Sequence, residues 1–149
     1  MRIVLQRVRS AELKADGSPY SKIGAGLVLF VGFCVEDTEE FCERLAQKVC
    51  DLRIFSDVQG KMNLSVTDVA GQVLVVSNFT LYADARRGNR PSFSAAAKAE
   101  MAQPLYEKFV DCMRNRVAVQ TGVFGADMQV SLVHDGPIVM MLDSEDFKR

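Results

Sequence analysis

A ten-residue apolar run over residues 26–35 dominates the hydrophobic pattern of the chain. The run is about half as long as a helix that crosses a bilayer, so it does not predict a membrane span. Residues 26–33 are instead typical of a buried β-strand. The fold is therefore predicted to contain a sheet with this strand inside it.

Strand periodicity extends over much of the remaining chain. Ile3, Val4 and Leu5 place apolar side chains on both faces of an opening strand, which favours a central position in the sheet. Asp16-Gly17 supplies a turn signal after it. The other predicted strands cover residues 53–56 and 62–65 around a hairpin-like turn at 57–60, then residues 72–79, and finally 128–133 and 138–142.

Two regions follow the helical period instead. Carboxylates at residues 37–40 complement the dipole of a first helical turn. The apolar stripe behind them consists of Phe41, Leu45, Val49 and Leu52, and Cys42 and Cys50 are expected on one packed side. The second region covers residues 95–117 and contains Pro104, which predicts a break or a second helix start. Its predicted inward residues are Leu105, Phe109, Cys112 and Val117.

These elements predict an α+β fold: a single domain over residues 1–149, with a mainly antiparallel sheet curled toward a barrel and two helical regions. The four cysteines form no CxxC pair, and His134 has no metal-ligand partner at useful spacing. We therefore expect reduced thiols, with no metal and no cofactor. No signal-peptide pattern follows Met1, so a cytoplasmic protein without membrane contact is expected.

The charge balance limits the kinds of partner. Eighteen basic residues against nineteen acidic ones exclude a general polyanion binder, so any nucleic-acid contact must be local. The loop over residues 86–93 is one candidate, because Arg86, Arg87 and Arg90 accompany an aromatic ring there. Such side chains can clamp phosphates and stack a base or sugar. A solvated surface loop is the alternative, but the local charge of +3 favours an anionic partner.

Ser77-Asn78-Phe79-Thr80 stands where a hydrophobic strand meets a loop. Rigid scaffolds present reactive groups at strand ends, which makes this segment a candidate catalytic site. Alternatively, the hydroxyl groups terminate the strand and satisfy local backbone groups. An ordinary serine hydrolase is not predicted, because no G-x-S-x-G segment exists and the chain has a single histidine.

Two glycine-containing segments are further candidates. Gly136-Pro137 predicts a hairpin turn between the closing strands, or alternatively a rigid backbone wall that approaches a ligand closely. Phe124, Gly125 and Met128 lie in a segment that can form an adaptable apolar pocket wall. Core filling and a turn glycine explain that segment equally well.

Taken together, the chain resembles the D-aminoacyl-tRNA deacylase family over essentially its whole length. The segments that carry the resemblance match in register from the first strand to the last. They are Gln6-Arg7-Val8, Leu52-Arg53-Ile54-Phe55, Gly60-Lys61-Met62-Asn63-Leu64-Ser65, Val76-Ser77-Asn78-Phe79-Thr80-Leu81-Tyr82-Ala83-Asp84, Arg90-Pro91-Ser92-Phe93, Phe124-Gly125-Ala126-Asp127-Met128-Gln129-Val130-Ser131-Leu132 and Asp135-Gly136-Pro137.

The resemblance implies a cytoplasmic homodimer that hydrolyses the ester between a D-amino acid, or misattached glycine, and the 3′ end of tRNA. It also implies a Gly-cis-Pro segment that crosses into the partner's pocket and rejects L-aminoacyl groups by collision with backbone carbonyls. The implied catalytic residues are Ser77, Asn78, Phe79 and Thr80; the implied gate is Gly136, Pro137 and Arg7; and Phe124, Gly125 and Met128 form the pocket. Backbone N–H groups of Phe79 and Thr80 are the expected oxyanion donors, with help from the substrate's ribose 2′-OH.

Four positions depart from the family pattern. Asn78 replaces Gln, His134 replaces Asn, and Ile138-Val139 replaces Val-Thr. These changes affect the expected rate and substrate preference more than the reaction class, because the backbone groups remain. A catalytically weak RNA-end-binding dimer and a general small-molecule esterase are the two alternative functions.

Overall fold

The computed structural model describes residues 1–148. Within these residues the fold has eight strands and two α-helices. The strands are β1 (Arg2–Ala15), β2 (Ser18–Ile23), β3 (Gly26–Gly32), β4 (Phe55–Ser56), β5 (Met62–Leu64), β6 (Gln72–Ser77), β7 (Ala118–Thr121) and β8 (Met128–Asp143). The helices are α1 (Glu39–Asp51) and α2 (Ala99–Arg114), and short 3₁₀-helices cover Phe79–Tyr82 and Ser144–Phe147.

The sheet is mixed and centres on β1. This strand pairs antiparallel with β8 on one side and with β2 and β3 on the other, while β3–β6 and β6–β7 are parallel pairs. Strand β2 lies close to β6 and β7, so the sheet is nearly closed into a barrel. The predicted α+β class with a curled sheet and two helical regions is confirmed, and the β4–β5 hairpin forms separately as predicted.

Two clusters of side chains bury the faces of the sheet. The larger cluster joins Leu5, Leu29 and Val75 of the sheet to Leu45 and Phe109 of the helices. The smaller cluster lies on the opposite face and contains Val8, Leu13, Val28, Leu74 and Val76. Since β3 contributes to both clusters, its sequence is apolar at successive positions, as expected for a strand covered on both faces.

The helices follow their predicted patterns with two differences. On α1, Cys42 and Cys50 are buried together as predicted, whereas Phe41 and Leu52 at the ends of the stripe are only half-buried. The predicted break at Pro104 is wrong, because α2 continues through it as its sixth residue. Burial of Leu105 and Phe109 on the inner face of α2 outweighs the loss of one helical hydrogen bond at an exposed position. Neither helix within residues 1–148 has the length and apolar character needed to cross a bilayer.

The predicted hairpin between two closing strands is also wrong. Residues 128–143 form the single strand β8, and both of its halves pair with β1, Val8 opposite His134 and Gln6 opposite Val139. Residues 135–138 therefore bulge out opposite Arg7, and the Gly136-Pro137 peptide bond within them is cis. The physical reason is that β1, with 14 residues, is long enough to pair both halves, so the extra residues form a bulge and not a turn.

Candidate active site

An open cavity of about 630 Å³ lies at the carboxyl end of β6. It brings together three groups of residues that are distant in sequence. These are the end of β3 and β6 with the 3₁₀-helix behind it, the first turn of α2 with Ala97 before it, and the segment that leads into β8. The predicted residues Ser77, Asn78, Phe79, Thr80, Phe124, Gly125 and Met128 all line this one cavity.

Small residues create the open space. Ala97, Ala99 and Ala102 line one side of the cavity, and Gly32 lies where β3 passes the end of β6. A Cβ atom on Gly32 would lie 2.6 Å from the backbone oxygen of Asn78 and 3.2 Å from Cβ of Leu81. Glycine is thus required there, because any side chain would push the end of β6 away.

The side chain of Asn78 organises the strand end. Its Oδ1 accepts hydrogen bonds from Thr80 Oγ1 at 2.5 Å and from Thr80 N at 3.2 Å, and so caps the 3₁₀-helix. The backbone N–H of Asn78 donates to Val31 O at 2.8 Å and ties the segment to β3. The shorter amide of asparagine is therefore used within its own turn. Phe79 N–H has no acceptor among residues 1–148, whereas Thr80 N–H is partly occupied.

Arg2 anchors the same 3₁₀-helix from β1. Its Nη1 donates to Leu81 O at 3.0 Å, its guanidinium lies 4.5 Å from the centre of the Tyr82 ring, and its Nε donates to Asp143 Oδ2 at 2.8 Å. Burial raises the pKa of Asp143, but the hydrogen bonds from Arg2 and the Glu145 amide together bring it below its ordinary value. The ion pair therefore persists at neutral pH and holds the strand end in place.

The opposite wall is aromatic and apolar. The Phe124 ring lies 5.9 Å from the ring of Tyr106, which is buried on α2. The Tyr106 hydroxyl donates to Val75 O at 2.8 Å, and burial raises its pKa, so it stays protonated as a donor. Phe124 is thus supported from β6 through Tyr106, and Met128 completes this wall at the start of β8.

The cavity contains little that can act as an acid or base. Asp127 is the single ionisable residue among those that line it, and its backbone pairs with Asp16 on the β1–β2 turn. Our sequence interpretation missed Asp127, although its position next to Met128 was an available signal. Because no histidine or cysteine lines the cavity within the described chain, neither a serine–histidine nor a cysteine–histidine pair is available there.

Gly136, Pro137 and Arg7 do not line the cavity of their own chain. Gly136 and Pro137 are exposed on the bulge of β8. Arg7 supports this bulge: its Nε lies 3.2 Å from Asp135 Oδ2, and its Nη1 donates to Ile54 O at 2.6 Å. His134, the departure from the family pattern, places its Nε2 3.0 Å from Ile138 O and closes the base of the bulge.

Of the three arginines in the arginine loop, Arg87 and Arg90 lie outside any ion pair formed by residues 1–148, whereas Arg86 is paired. Arg86 forms a two-pronged pair with Asp84, with distances of 2.9 and 2.7 Å, and the guanidinium holds the pKa of Asp84 well below its ordinary range. Arg87 and Arg90 are exposed and form no ion pair within residues 1–148. The expected contact of Arg86, Arg87 and Arg90 with tRNA phosphates stays a prediction, and Arg86 is already paired with Asp84 in this structure.

The chain is similar to known proteins over nearly its whole length. A D-aminoacyl-tRNA deacylase of Chloroflexus aurantiacus is 52% identical over 149 residues, which is 99% of this chain and 93% of the relative. A D-aminoacyl-tRNA deacylase of Chlorobaculum parvum is 51% identical and covers 97% of this chain and 98% of its own.

Solved structures share the fold. A structure described as c-Myc DNA Unwinding Element Binding Protein superposes with a TM-score of 0.91 at 36% identity, over 97% of this chain and 99% of that one. A probable eukaryotic D-amino acid tRNA deacylase superposes with a TM-score of 0.82 at 16% identity, over 95% and 97% of the two chains, which shows the fold alone.

A nearly closed mixed sheet with a strand-end cavity, on a chain half identical to curated deacylases, makes this protein a hydrolase. It belongs to the D-Tyr-tRNA(Tyr) deacylase family, whose model matches residues 4–143. The family resemblance and the enzyme class expected from the sequence are both confirmed. The roles of individual residues stay predictions.

Proposed function

We propose that this protein hydrolyses the ester bond of D-aminoacyl-tRNA and spares the L-aminoacyl form. The observation that carries the proposal is the cavity, where Phe79 N–H has no acceptor among residues 1–148 and the family's strand-end and pocket residues converge. Its volume of about 630 Å³ fits the terminal adenosine with an aminoacyl group, since sites for small molecules span about 300–1,000 Å³.

The proposed chemistry depends on positioning and on backbone donors. Water adds to the ester carbonyl carbon, the bond to the ribose 3′-oxygen breaks, and that oxygen takes up the proton that water loses. Phe79 N–H stabilises the oxyanion, with Thr80 N–H as the weaker second donor because Asn78 already engages it. The substrate's 2′-OH, as the family resemblance implies, helps to activate the water.

We propose that the Gly136-Pro137 bulge is the chirality gate of the partner subunit's cavity. It is exposed, absent from the lining of its own cavity, and carried on β8, which pairs only with β1 among the described strands. An L side chain would collide with rigid backbone carbonyls, whereas glycine has no side chain to reject. Misattached glycine is therefore a second expected substrate.

We propose a homodimer on the basis of the same strand. An unpaired edge of 16 residues is a template for pairing with another chain. Its solvent face carries Val133, Val139 and Met141, which are 54%, 55% and 68% exposed. A second copy of this chain would cover these side chains and bring the bulge of each subunit toward the other.

The proposed tRNA contact beyond the cavity is the arginine loop. Arg87 and Arg90 are free to contact phosphates, while Arg86 contributes only by exchanging its partner Asp84. Replacing Arg87 and Arg90 with Gln should raise KM and flatten its salt dependence with a similar kcat. An unchanged salt slope would make this loop an ordinary surface.

One assay tests the proposed function directly. Matched D- and L-aminoacyl-tRNA and a simple ester are incubated with the enzyme, and deacylation is followed for each. We expect rapid loss of the D form alone. Binding without hydrolysis would support the alternative of a catalytically weak RNA-end-binding dimer, and attack on all three substrates would indicate a general esterase. Cell fractionation followed by detection of the protein in each fraction would test the expected cytoplasmic location.

A further inference from the structure

Two aromatic rings stand together at the mouth of the cavity. Phe79 and Phe93 contact each other edge to face, with ring centres 5.1 Å apart and an interplanar angle of 72°. Phe79 is 56% exposed and Phe93 is 37% exposed, so neither ring is core filling. Phe79 lines the cavity and Phe93 lies just outside it, which makes the pair continuous with the site.

Both rings are held on ordered backbone. Phe79 begins the 3₁₀-helix that Asn78 caps. Phe93 follows a two-residue bridge in which Asp84 N donates to Ser92 O at 2.7 Å and Ser92 N donates to Asp84 O at 2.8 Å. Ala96 N donates to Phe93 O at 3.0 Å on the other side. The platform is therefore formed before any ligand arrives.

Free positive charge lies on the same loop. The bridge between Asp84 and Ser92 closes a loop that carries Arg87 and Arg90, both exposed and outside any ion pair of the described residues. Exposed aromatic rings next to unpaired cations are the combination that binds single-stranded nucleic acid, through base stacking and phosphate contact.

We propose that Phe79 and Phe93 form a stacking subsite for the base of the nucleotide that precedes the terminal adenosine. The proposal rests on the proposed function, which places that adenosine in the cavity. The next nucleotide then lies one step outside, where Phe93 stands, and its phosphate faces Arg87 and Arg90. Stacking on an aromatic face tolerates any base, so binding at this subsite depends on the presence of a base and not on its identity.

The test uses a pair of D-aminoacylated RNA substrates that differ only at the penultimate nucleotide, one normal and one abasic. For the wild-type enzyme we expect kcat/KM to be about ten-fold higher with the normal substrate, in line with the energy of stacking one base. The variant Phe93→Leu keeps apolar bulk but loses the aromatic face, so its ratio should fall close to one. Tyr20→Leu, which changes an aromatic side chain 56% exposed on β2, is the matched control and should keep the wild-type ratio.

Equal ratios in the wild-type enzyme and Phe93→Leu would overturn the proposal. A second measurement keeps it separate from the proposed function. Oligonucleotides that end in the tRNA 3′ sequence and carry no amino acid, with and without the penultimate base, are titrated with the protein, and binding is followed by fluorescence anisotropy. If hydrolysis fails but the base-dependent binding is present in the wild type and lost in Phe93→Leu, the subsite stands and the deacylase proposal falls. Binding that does not depend on the penultimate base would contradict the stacking subsite and leave the proposed function unaffected.

Discussion

At the level of single residues, Gly32 determines how closely β3 can pass beneath the end of β6, which is the proposed catalytic segment. The backbone oxygen of Asn78 lies only 2.6 Å from the position that a Cβ atom on Gly32 would occupy. Gly32→Ala should displace Asn78 and the N–H of Phe79, and lower kcat by about 100-fold, since a shift near 1 Å at a reacting group costs that much. Steady-state and single-turnover hydrolysis of D-aminoacyl-tRNA measure the effect.

Gly24→Ala is the matched control for this change. A Cβ at Gly24 would meet only the Gln72 side-chain oxygen, at an ordinary 3.5 Å, so activity should stay within two-fold of wild type, about the scatter expected of a neutral surface change. If Gly32→Ala retained full activity with an unchanged melting temperature, the strand end would have room to move and its geometry would not control catalysis.

Thr80 provides a second prediction at this scale. Its hydroxyl donates to Asn78 and no histidine or lysine of the described residues lines the cavity, so we expect it to support the turn and not to act as an activated nucleophile. Thr80→Ala should reduce kcat by about 10- to 100-fold through a looser cap. Mass spectrometry after rapid quenching should find no acyl-enzyme. A million-fold loss of kcat in Thr80→Ala, together with an acyl-Thr80 species trapped in the wild-type enzyme, would contradict this prediction.

Residue patterns alone explain part of the site. Ser77-Thr80 and Phe124-Met128 were recognised because a strand end and a glycine-flanked aromatic are local signals, and both groups line one cavity. The pairing of Arg86 with Asp84 was missed, because it depends on a loop conformation that no periodicity describes. Asp127 lies within the recognised segment next to Met128, but it was not selected as a site residue because the segment was interpreted as an apolar wall.

At the level of secondary-structure elements, strand existence was easier to predict than strand pairing. Gly136-Pro137 is a strong turn signal, yet residues 128–143 continue as one strand because β1 pairs along its whole length. The parallel pairs β3–β6 and β6–β7 likewise have no signature in alternation alone. Strand β7 was overlooked, since four residues carry too little pattern.

The bulge of β8 gives a prediction about backbone shape. Gly136 has a φ of +125°, and a Cβ there would lie 2.7 Å from Ile138 Cγ1 and from Ile138 N. Gly136→Ala should therefore shift the bulge, lowering the free energy of unfolding by about 1–3 kcal/mol and weakening the D/L selectivity. Denaturant unfolding and the ratio of kcat/KM for D- and L-aminoacyl-tRNA measure the two effects.

Gly60→Ala is the control that distinguishes the effect of backbone strain from an effect on the proposed gate. Gly60 also has a positive φ, +76°, but a Cβ there meets nothing within 4 Å and the residue lies in the β4–β5 turn. The Gly60→Ala variant should lower the free energy of unfolding by an amount comparable to Gly136→Ala. It should keep the wild-type ratio of kcat/KM for D- and L-aminoacyl-tRNA. Unchanged selectivity in Gly136→Ala, at matched stability, would remove this bulge from the proposed gate.

At the level of the whole molecule, the exposed edge strand predicts a dimer that activity requires. Met141→Arg puts a charge on the most exposed apolar side chain of β8 and should shift sedimentation velocity toward the monomer while reducing hydrolysis in parallel. Val58→Arg changes a fully exposed apolar residue at the β4–β5 turn and should leave both the sedimentation velocity and the hydrolysis rate unchanged. A fully active monomeric Met141→Arg would show that each chain forms a complete site.

The crossing of the bulge between subunits can be tested by mixing two variants. Gly32→Ala damages the cavity and should be nearly inactive, whereas Gly136→Ala keeps its cavity and should hydrolyse both D- and L-aminoacyl-tRNA. After dissociation and random reassociation of equal amounts, half of the dimers contain one subunit of each kind.

If the bulge of one subunit gates the cavity of the other, the intact cavity of each mixed dimer faces an intact bulge. Hydrolysis of L-aminoacyl-tRNA by the mixture should then be about half that of the same amount of Gly136→Ala alone, by the geometry of a two-fold dimer. If cavity and bulge act within one chain, mixing leaves this hydrolysis unchanged, an outcome that would refute the crossing.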